Sequence, residues 1–218
     1  FVMFDEKNSA LQKFQGIEQA VLSFVSYASV RSGLPFMSNG ANLAFRKQTF
    51  EEVGGYEYGI EHPGGDDTFL MLAVNKRYPG SIRYMNNRNC AVMSIPVSGF
   101  SEYFQQRKRH GSKVASYSEF YIRIAGLVIV ITGLLHFISY LSILIVPYQS
   151  ESSITFLAVK LSLDVLIGAI AVRKFSGSRP YALVVPFALV YPIYLIIVTS
   201  LMLFDPGFEW KGRSYSQK

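Results

Sequence analysis

The spacing of hydrophobic and polar positions changes character about halfway along the chain. Residues 9–31 place apolar side chains three and four positions apart, which predicts an amphipathic helix. The same reasoning predicts shorter helices at residues 48–53 and 68–78 and another that begins at Phe100, with short strands at residues 42–45, 81–85 and 90–95. Up to about Lys113, this mixture of charges, glycines and short apolar runs is typical of a soluble domain.

Three long apolar runs dominate the rest of the chain, at residues 124–146, 154–172 and 182–204. At about 1.5 Å per helical residue, such runs are long enough to cross a hydrocarbon core of roughly 30 Å. Residues 117–218 are therefore predicted to form a membrane domain with two or three spans. Pro186 and Pro192 interrupt the third run, which favours a re-entrant or strongly kinked segment over a full crossing.

The net charge of +6 is concentrated beside these apolar runs. One basic cluster precedes the first run and another separates the second from the third: Arg107, Lys108, Arg109, Lys113 and Arg123, then Arg173, Lys174 and Arg179. Such clusters mark the cytoplasmic side of membrane spans, so we expect a multi-pass protein of the inner (plasma) membrane whose soluble part is cytoplasmic. They match a nucleic-acid-binding surface poorly. The single Cys90 excludes an internal disulfide and fits a reducing compartment.

The second apolar run contains two charged residues. Lys160 and Asp164 lie four residues apart, so they can pair on one face of a helix. Charges inside a span are costly and point to a role in assembly or function. The pair is therefore either structural or part of a proton or ion pathway. His136, in the first run, is expected to pack against another helix.

Three stretches of the soluble part carry candidate chemistry. Gly64 and Gly65 allow a tight turn before the adjacent carboxylates of Asp66 and Asp67, one of which can cap the helix that follows while the other faces a cleft. Residues 39–42 are small and polar, so they either let a ligand approach the backbone or form an ordinary turn. The basic run around residues 105–110 is either a membrane-surface face or a grip for an anionic ligand.

Taken in order, these stretches resemble the C-terminal half of the membrane-bound family-two glycosyltransferases, the group that includes cellulose, chitin and hyaluronan synthases. The matching residues are Asn39-Gly40-Ala41-Asn42-Leu43-Ala44-Phe45-Arg46, Gly65-Asp66-Asp67 and Gln106-Arg107-Lys108-Arg109-His110. The resemblance covers residues 36–113 by motif, and the order of the apolar runs supports it. It implies an α/β fold, with the C-terminal half of a GT-A domain at residues 1–116 followed by transmembrane α-helices.

The resemblance also implies roles on the acceptor side of the site. Asp67 resembles the catalytic base that takes a proton from the acceptor hydroxyl. Asp66 would lie beside it and either order the loop or bind the acceptor. Asn39, Gly40 and Asn42 would line the acceptor side of the cleft.

On the donor side, Gln106 and Arg109 resemble the residues that contact the donor and its diphosphate. His110 stands where the family has Trp, which argues against the synthesis of long polymers. We find no Asp-x-Asp metal motif and no nucleotide-binding strand–turn–helix repeats. The Mg or Mn ion expected for the intact enzyme would therefore lack its ligands in this chain. Because the chain begins at Phe1, we expect it to be the C-terminal part of a longer protein and inactive alone.

The implied reaction is the inverting transfer of a sugar from a nucleotide-sugar donor to a glycan or lipid-linked acceptor, as in bacterial polysaccharide biosynthesis. Two other interpretations stay open. One is a transporter or channel subunit with a cytosolic domain, whose key residues would be Lys160 and Asp164. The other is a catalytically inactive scaffold.

Overall fold

A computed structural model describes residues 1–5, 9–57, 59, 64–113, 116–149, 151–178, 180–204, 207–210 and 213–215. Helices make up 71% of the structure. In chain order the elements are β1 (Val2–Phe4), α1 (Ala10–Arg31), α2 (Lys47–Glu52), α3 (Asp66–Arg77), β2 (Val92–Ser94), α4 (Phe100–Gly111), α5 (Phe120–Ile145), α6 (Glu151–Phe175), α7 (Val184–Phe204), β3 (Phe208–Trp210) and β4 (Arg213–Tyr215). Short 3-10 turns cover Gly40–Asn42, Arg88–Cys90, Pro147–Gln149 and Tyr181–Leu183.

The chain forms two compact units. The first contains Phe1–Ser98, Ser116–Ser118 and Ala171–Arg179, so it includes the last turn of α6. The second contains Gly99–Ala115, Glu119–Ile170 and Pro180–Lys218.

Helix α1 is the longest element that lies wholly in the first unit. It confirms the amphipathic helix predicted at residues 9–31 and is followed by Gly33, which adopts a positive φ of 77°. Gln15 in this helix is fully buried, and its amide makes two hydrogen bonds with the backbone of Val97, at 2.9 and 3.1 Å. Because both polar groups of the amide are satisfied, this residue fixes the segment after β2 against α1.

An aromatic cluster forms the core of the first unit around Phe175, the last residue of α6. Phe175 is 1% exposed, and its ring meets Phe1 edge-on at 4.9 Å between centroids. Tyr27 of α1 and Tyr84 pack against the same ring at 6.1 and 6.0 Å. Such aromatic pairs bury large apolar areas in preferred geometries, so they hold the chain start, α1 and the end of α6 together.

The prediction of an α/β half domain of the GT-A type is wrong. Among its described residues, the first unit contains only two short strands, β1 and β2, which pair in parallel with Val2 opposite Val92. The strand predicted at residues 90–95 is reduced to the part that β1 covers. Residues 81–85 and 42–45 form no strand, because neither has a neighbouring strand to satisfy its backbone groups among the described residues. The helices predicted at residues 48–53 and 68–78 are confirmed as α2 and α3.

Three helices of the structure are long and apolar enough to span a membrane. They cover Phe120–Ile145, Glu151–Phe175 and Tyr181–Met202, with mean hydropathies of 2.3, 2.0 and 2.3. The prediction of a membrane protein is confirmed at this level. Which side faces the cytoplasm stays a prediction, and Arg179, Lys211 and Gly212, which bear on it, lie outside the described residues.

Helix α7 runs without a break through Pro192. Pro186 lies in the first turn, where the missing N–H has no helical partner to lose. Pro192 lies in the interior, so the carbonyl of Ala188 loses its usual N–H donor. The helix is nevertheless continuous over 21 residues, and the strongly kinked or re-entrant form stays a prediction.

Candidate functional site

The two adjacent carboxylates lie at the start of α3 in the first unit. Gly64 and Gly65 precede them with φ angles of 79° and 85°, a region that favours glycine, so the chain can turn sharply into the helix. Asp67 accepts a hydrogen bond from the backbone N–H of Gly40 at 2.7 Å through Oδ2, and one from the N–H of Thr68 at 2.8 Å through Oδ1. The structure therefore joins two stretches that are far apart in the sequence.

The turn at residues 39–42 is held by its own side chains. Oδ1 of Asn39 accepts a hydrogen bond from the N–H of Ala41 at 3.0 Å and so caps the short 3-10 turn. Nδ2 of Asn42 donates to the carbonyls of Phe1 and Cys90, at 2.8 and 2.9 Å. Both asparagine side chains are engaged with the backbone, so this turn is a preformed element.

Asp66 and Asp67 differ in what surrounds them. Asp67 is half-buried, and both of its oxygens bind backbone N–H groups of the first unit. Asp66 is exposed and makes no hydrogen bond or ion pair within the described part of the chain. Asp67 is thus the carboxylate that orders the loop, which was one of the two roles that the sequence analysis left open for Asp66. The catalytic roles of both residues stay predictions.

Sequence reasoning missed Ser38, which lies beside this turn. Its backbone N–H donates to Oγ1 of Thr68 at 3.3 Å. Its own Oγ is buried and has no hydrogen-bond partner in the part of the chain that the structure describes. A buried hydroxyl left without a partner is uncommon, so Ser38 adds a polar group beside the turn that Asp67 holds. The only sequence signal for it is its position directly before Asn39.

The predicted donor-side residues lie on α4 in the second unit. Gln106 accepts a hydrogen bond from Nη2 of Arg107 at 3.3 Å, and Nη2 of Arg109 lies 3.3 Å from Nε2 of His110. Gln106 and Arg109 are half-buried, and His110 is exposed. These three residues therefore remain close together on the helix, as their spacing requires.

The most buried cations of α4 are Arg107 and Lys108, which the sequence analysis did not single out as site residues. They are 8% and 4% exposed. The guanidinium of Arg107 lies 5.0 Å from the ring centre of Tyr103, which stacks on Tyr194 of α7 at 5.7 Å. This cation–π contact and the stacked ring orient the Arg107 side chain.

His110 is held in its neutral form. Loss of water around the ring, together with the positive charges of Arg107, Arg109 and Lys113, lowers the pKa of His110 to about 3. The residue as a whole is exposed, but its ring is packed among protein atoms, so burial of the ring and the neighbouring cations both lower the pKa. The ring is therefore neutral at pH 7 and can offer a hydrogen bond or a flat face, but no charge.

The sequence-predicted residues thus fall into two groups. Asp66, Asp67, Asn39, Gly40 and Asn42 lie in the first unit, and Gln106, Arg109 and His110 lie in the second. Among the described residues there is no group of three His, Cys, Asp or Glu side chains placed to hold a metal ion. The divalent cation expected for the intact enzyme stays a prediction. In comparisons with known proteins, no family model, no curated protein and no solved structure matches this chain.

Proposed function

We propose that this chain belongs to a membrane enzyme that transfers a sugar, with inversion, from a nucleotide-sugar donor to a glycan or lipid-linked acceptor at the cytoplasmic face. The observation that carries the proposal is the hydrogen bond between the N–H of Gly40 and Oδ2 of Asp67. It brings together the two stretches to which the family resemblance gives the acceptor side and the base. The three apolar helices support a location in the membrane.

The proposed chemistry is a single displacement. Asp67 takes the proton of the acceptor hydroxyl while that oxygen attacks the anomeric carbon of the donor sugar. The bond between this carbon and the diphosphate oxygen breaks, and the nucleoside diphosphate leaves with the electron pair. A carboxylate has about four lone-pair positions, so Asp67 can accept a proton while it keeps its two backbone N–H partners. Those partners fix its orientation, which favours catalysis by positioning.

The leaving diphosphate needs positive charge or hydrogen-bond donors. Arg109 and Gln106 supply them in this proposal, and the planar guanidinium suits phosphate oxygens because it donates paired hydrogen bonds. Arg107 and Lys108 lie on the same helix but are almost fully buried. The neutral His110 adds no charge, so we assign it to stacking or hydrogen bonding with substrate.

The test is sugar transfer by the full-length protein purified into lipid nanodiscs, with radiolabelled UDP-, GDP- and dTDP-sugars as probes and native membrane lipid as acceptor. We expect Asp67→Asn to lower turnover by about 100-fold or more, the range for removal of a general base, while donor binding persists. Asp66→Asn is the matched control, because Asp66 has no described partner, and it should lower turnover by less than about tenfold. Near-normal turnover of Asp67→Asn would overturn the proposal.

A further inference from the structure

Helices α5 and α6 carry a group of polar side chains that the proposed sugar transfer does not use, of which His136 is buried and the others are half-buried. His136 and Tyr140 lie on α5, and Lys160 and Asp164 lie on α6. His136 is nine residues from the end of α5, and Lys160 is nine residues from the start of α6. At about 1.5 Å per residue, both lie roughly 13 Å from their helix ends, near the middle of a hydrocarbon core of about 30 Å.

The hydrogen bonds at Tyr140 fix the proton positions on His136. The Tyr140 hydroxyl donates its single proton to the carbonyl of Leu189 in α7, at 3.0 Å. The same hydroxyl oxygen lies 3.0 Å from Nε2 of His136. Because a hydroxyl has only one proton to give, Nε2 of His136 must be the donor in the second contact. The neutral ring therefore carries its proton on Nε2 and an unshared electron pair on Nδ1.

Nδ1 of His136 is an unsatisfied acceptor in the interior. The residue is 1% exposed, and Nδ1 has no hydrogen-bond partner in the part of the chain that the structure describes. Leaving a buried polar atom unpaired is costly, and the cost is greater in lipid, where no water replaces the missing partner. A donor placed at Nδ1 would remove that cost, and so would a proton bound to Nδ1 if the resulting N–H found an acceptor.

Counter-charge for a bound cation lies on the neighbouring helix. Phe156 of α6 meets the His136 ring edge-on at 6.4 Å, so the face of α6 that carries residues 156, 160 and 164 is turned towards it. Nζ of Lys160 lies 2.6 Å from Oδ1 of Asp164, so the two charges pair on this face of α6. Among the described residues, Tyr140, Lys160 and Asp164 are the titratable groups on the facing sides of α5 and α6, and α7 contributes the Leu189 carbonyl.

We propose that these helices form a proton-binding site within the membrane, in which Nδ1 of His136 accepts the proton and the Asp164 carboxylate balances its charge. A proton bound to Nδ1 turns this acceptor into a charged N–H donor, and in this proposal the Asp164 carboxylate, on the face of α6 turned towards the ring, is its acceptor. The buried ring leaves little room for a larger ligand. In the binding step an O–H bond of hydronium breaks, an N–H bond forms at Nδ1, and water leaves. The net charge of the cluster formed by His136, Lys160 and Asp164 rises from zero to plus one. The carboxylate is then shared between the imidazolium and Lys160.

The test is nitrogen NMR of the full chain in lipid nanodiscs, with ¹⁵N-labelled histidine and a pH series from 4 to 9. The chain has three histidines, and His136→Gln identifies the signals of that residue by their loss. We expect the unprotonated Nδ1 signal of His136 to be replaced by a protonated one as the pH falls within this range. A His136 ring that keeps its unprotonated Nδ1 throughout would overturn the proposal.

Charge variants provide the second part of the test. At a pH where half of His136 is protonated, Asp164→Asn should lower the protonated fraction severalfold, and Lys160→Gln should raise it. The double variant Lys160→Gln/Asp164→Asn keeps two hydrogen-bonding side chains and no charge, so it separates loss of charge from loss of folding. Glu151→Gln, a carboxylate change at the other end of α6, is the control and should leave the fraction unchanged. Equal protonated fractions in Asp164→Asn and Lys160→Gln would contradict the assignment of Asp164 as counter-charge.

Discussion

The hydrogen bonds of Asp67 make a prediction about local stability that can be separated from catalysis. Asp67→Asn keeps the size of the side chain but replaces one acceptor oxygen by an NH₂ group. One of the two N–H groups, that of Gly40 or that of Thr68, must then face another donor. The substitution also removes a negative charge from the first turn of α3, where it interacts favourably with the helix N-terminus.

The expected cost follows from these two losses. A hydrogen bond to a charged group contributes about 1.5–3 kcal/mol, and half-burial of Asp67 places this one at the lower end. The helix-terminus interaction adds about 0.3–1 kcal/mol. The turn at residues 39–42 should therefore open more easily by about 2–3 kcal/mol, which corresponds to amide exchange about 30- to 150-fold faster. Asp66→Asn loses only the helix-terminus interaction, so its effect should be about two- to fivefold.

Hydrogen–deuterium exchange with peptide-level mass spectrometry measures this difference. The readout is the exchange of peptides that cover residues 38–42 and 66–70, in nanodiscs, with peptides from α1 as an internal reference. Similar exchange in the two variants would refute the anchoring role of Asp67, as would an unchanged turn in Asp67→Asn. If the turn opens as expected, part of the lost transfer activity of Asp67→Asn can come from disorder of the turn. The proton-accepting role is then assigned only to the loss of activity that exceeds this effect.

Two further predictions concern residues that the sequence analysis placed in the site. Asn42→Asp removes two donated hydrogen bonds and places a carboxylate against the carbonyls of Phe1 and Cys90. In a denaturant titration it should lower the free energy of unfolding of the first unit by about 2–4 kcal/mol, compared with about 1–2 kcal/mol for Asn42→Ala. Equal effects of the two substitutions would contradict this prediction. His110 has a pKa of about 3, below its ordinary value, so its neutral ring contributes stability that is complete above about pH 6.5 and lost as the pH falls towards 3. The thermal midpoint of the wild type should therefore fall more steeply than that of His110→Asn between pH 6.5 and pH 4, and parallel curves would rule out the shift.

The helices were predictable because their signals are local. The three- and four-residue spacing in α1 reflects the burial of one face, and the long runs of α5 and α6 give an apolar surface on all sides that suits lipid. Neither signal depends on a distant partner. The strands were not predictable in the same way. Residues 81–85 alternate between exposed and half-buried positions as a strand would, but no neighbouring strand lies beside them among the described residues. Without a ladder, alternation alone leaves backbone groups unsatisfied, and the segment stays irregular.

The same distinction applies to the candidate site. The adjacent positions of Asp66 and Asp67 indicated that one carboxylate would lie at the helix start and the other would face a cleft, but did not indicate which. The answer depends on where the N–H of Gly40 lies, and Gly40 is 27 residues from Asp67 in the sequence. Ser38 was missed for the same reason, because its burial depends on Thr68 and not on its sequence neighbours.

In the polar cluster of the membrane helices, the sequence predicts one side-chain pair, and only the tertiary structure shows the other. The four-residue spacing of Lys160 and Asp164 was sufficient to predict their pairing, and the 2.6 Å contact confirms it. The spacing of His136 and Tyr140 is also four residues, yet it carries no such signal, because a histidine and a tyrosine on one helix face are usually explained by packing. Only the Leu189 carbonyl on α7 fixes the direction of the Tyr140 hydroxyl, and that direction leaves Nδ1 of His136 unsatisfied. The unsatisfied acceptor beside the charge pair therefore results from the packing of all three helices. Removing the Tyr140 hydroxyl should leave Nε2 of His136 without its hydrogen-bond acceptor and should not alter the Lys160–Asp164 pair.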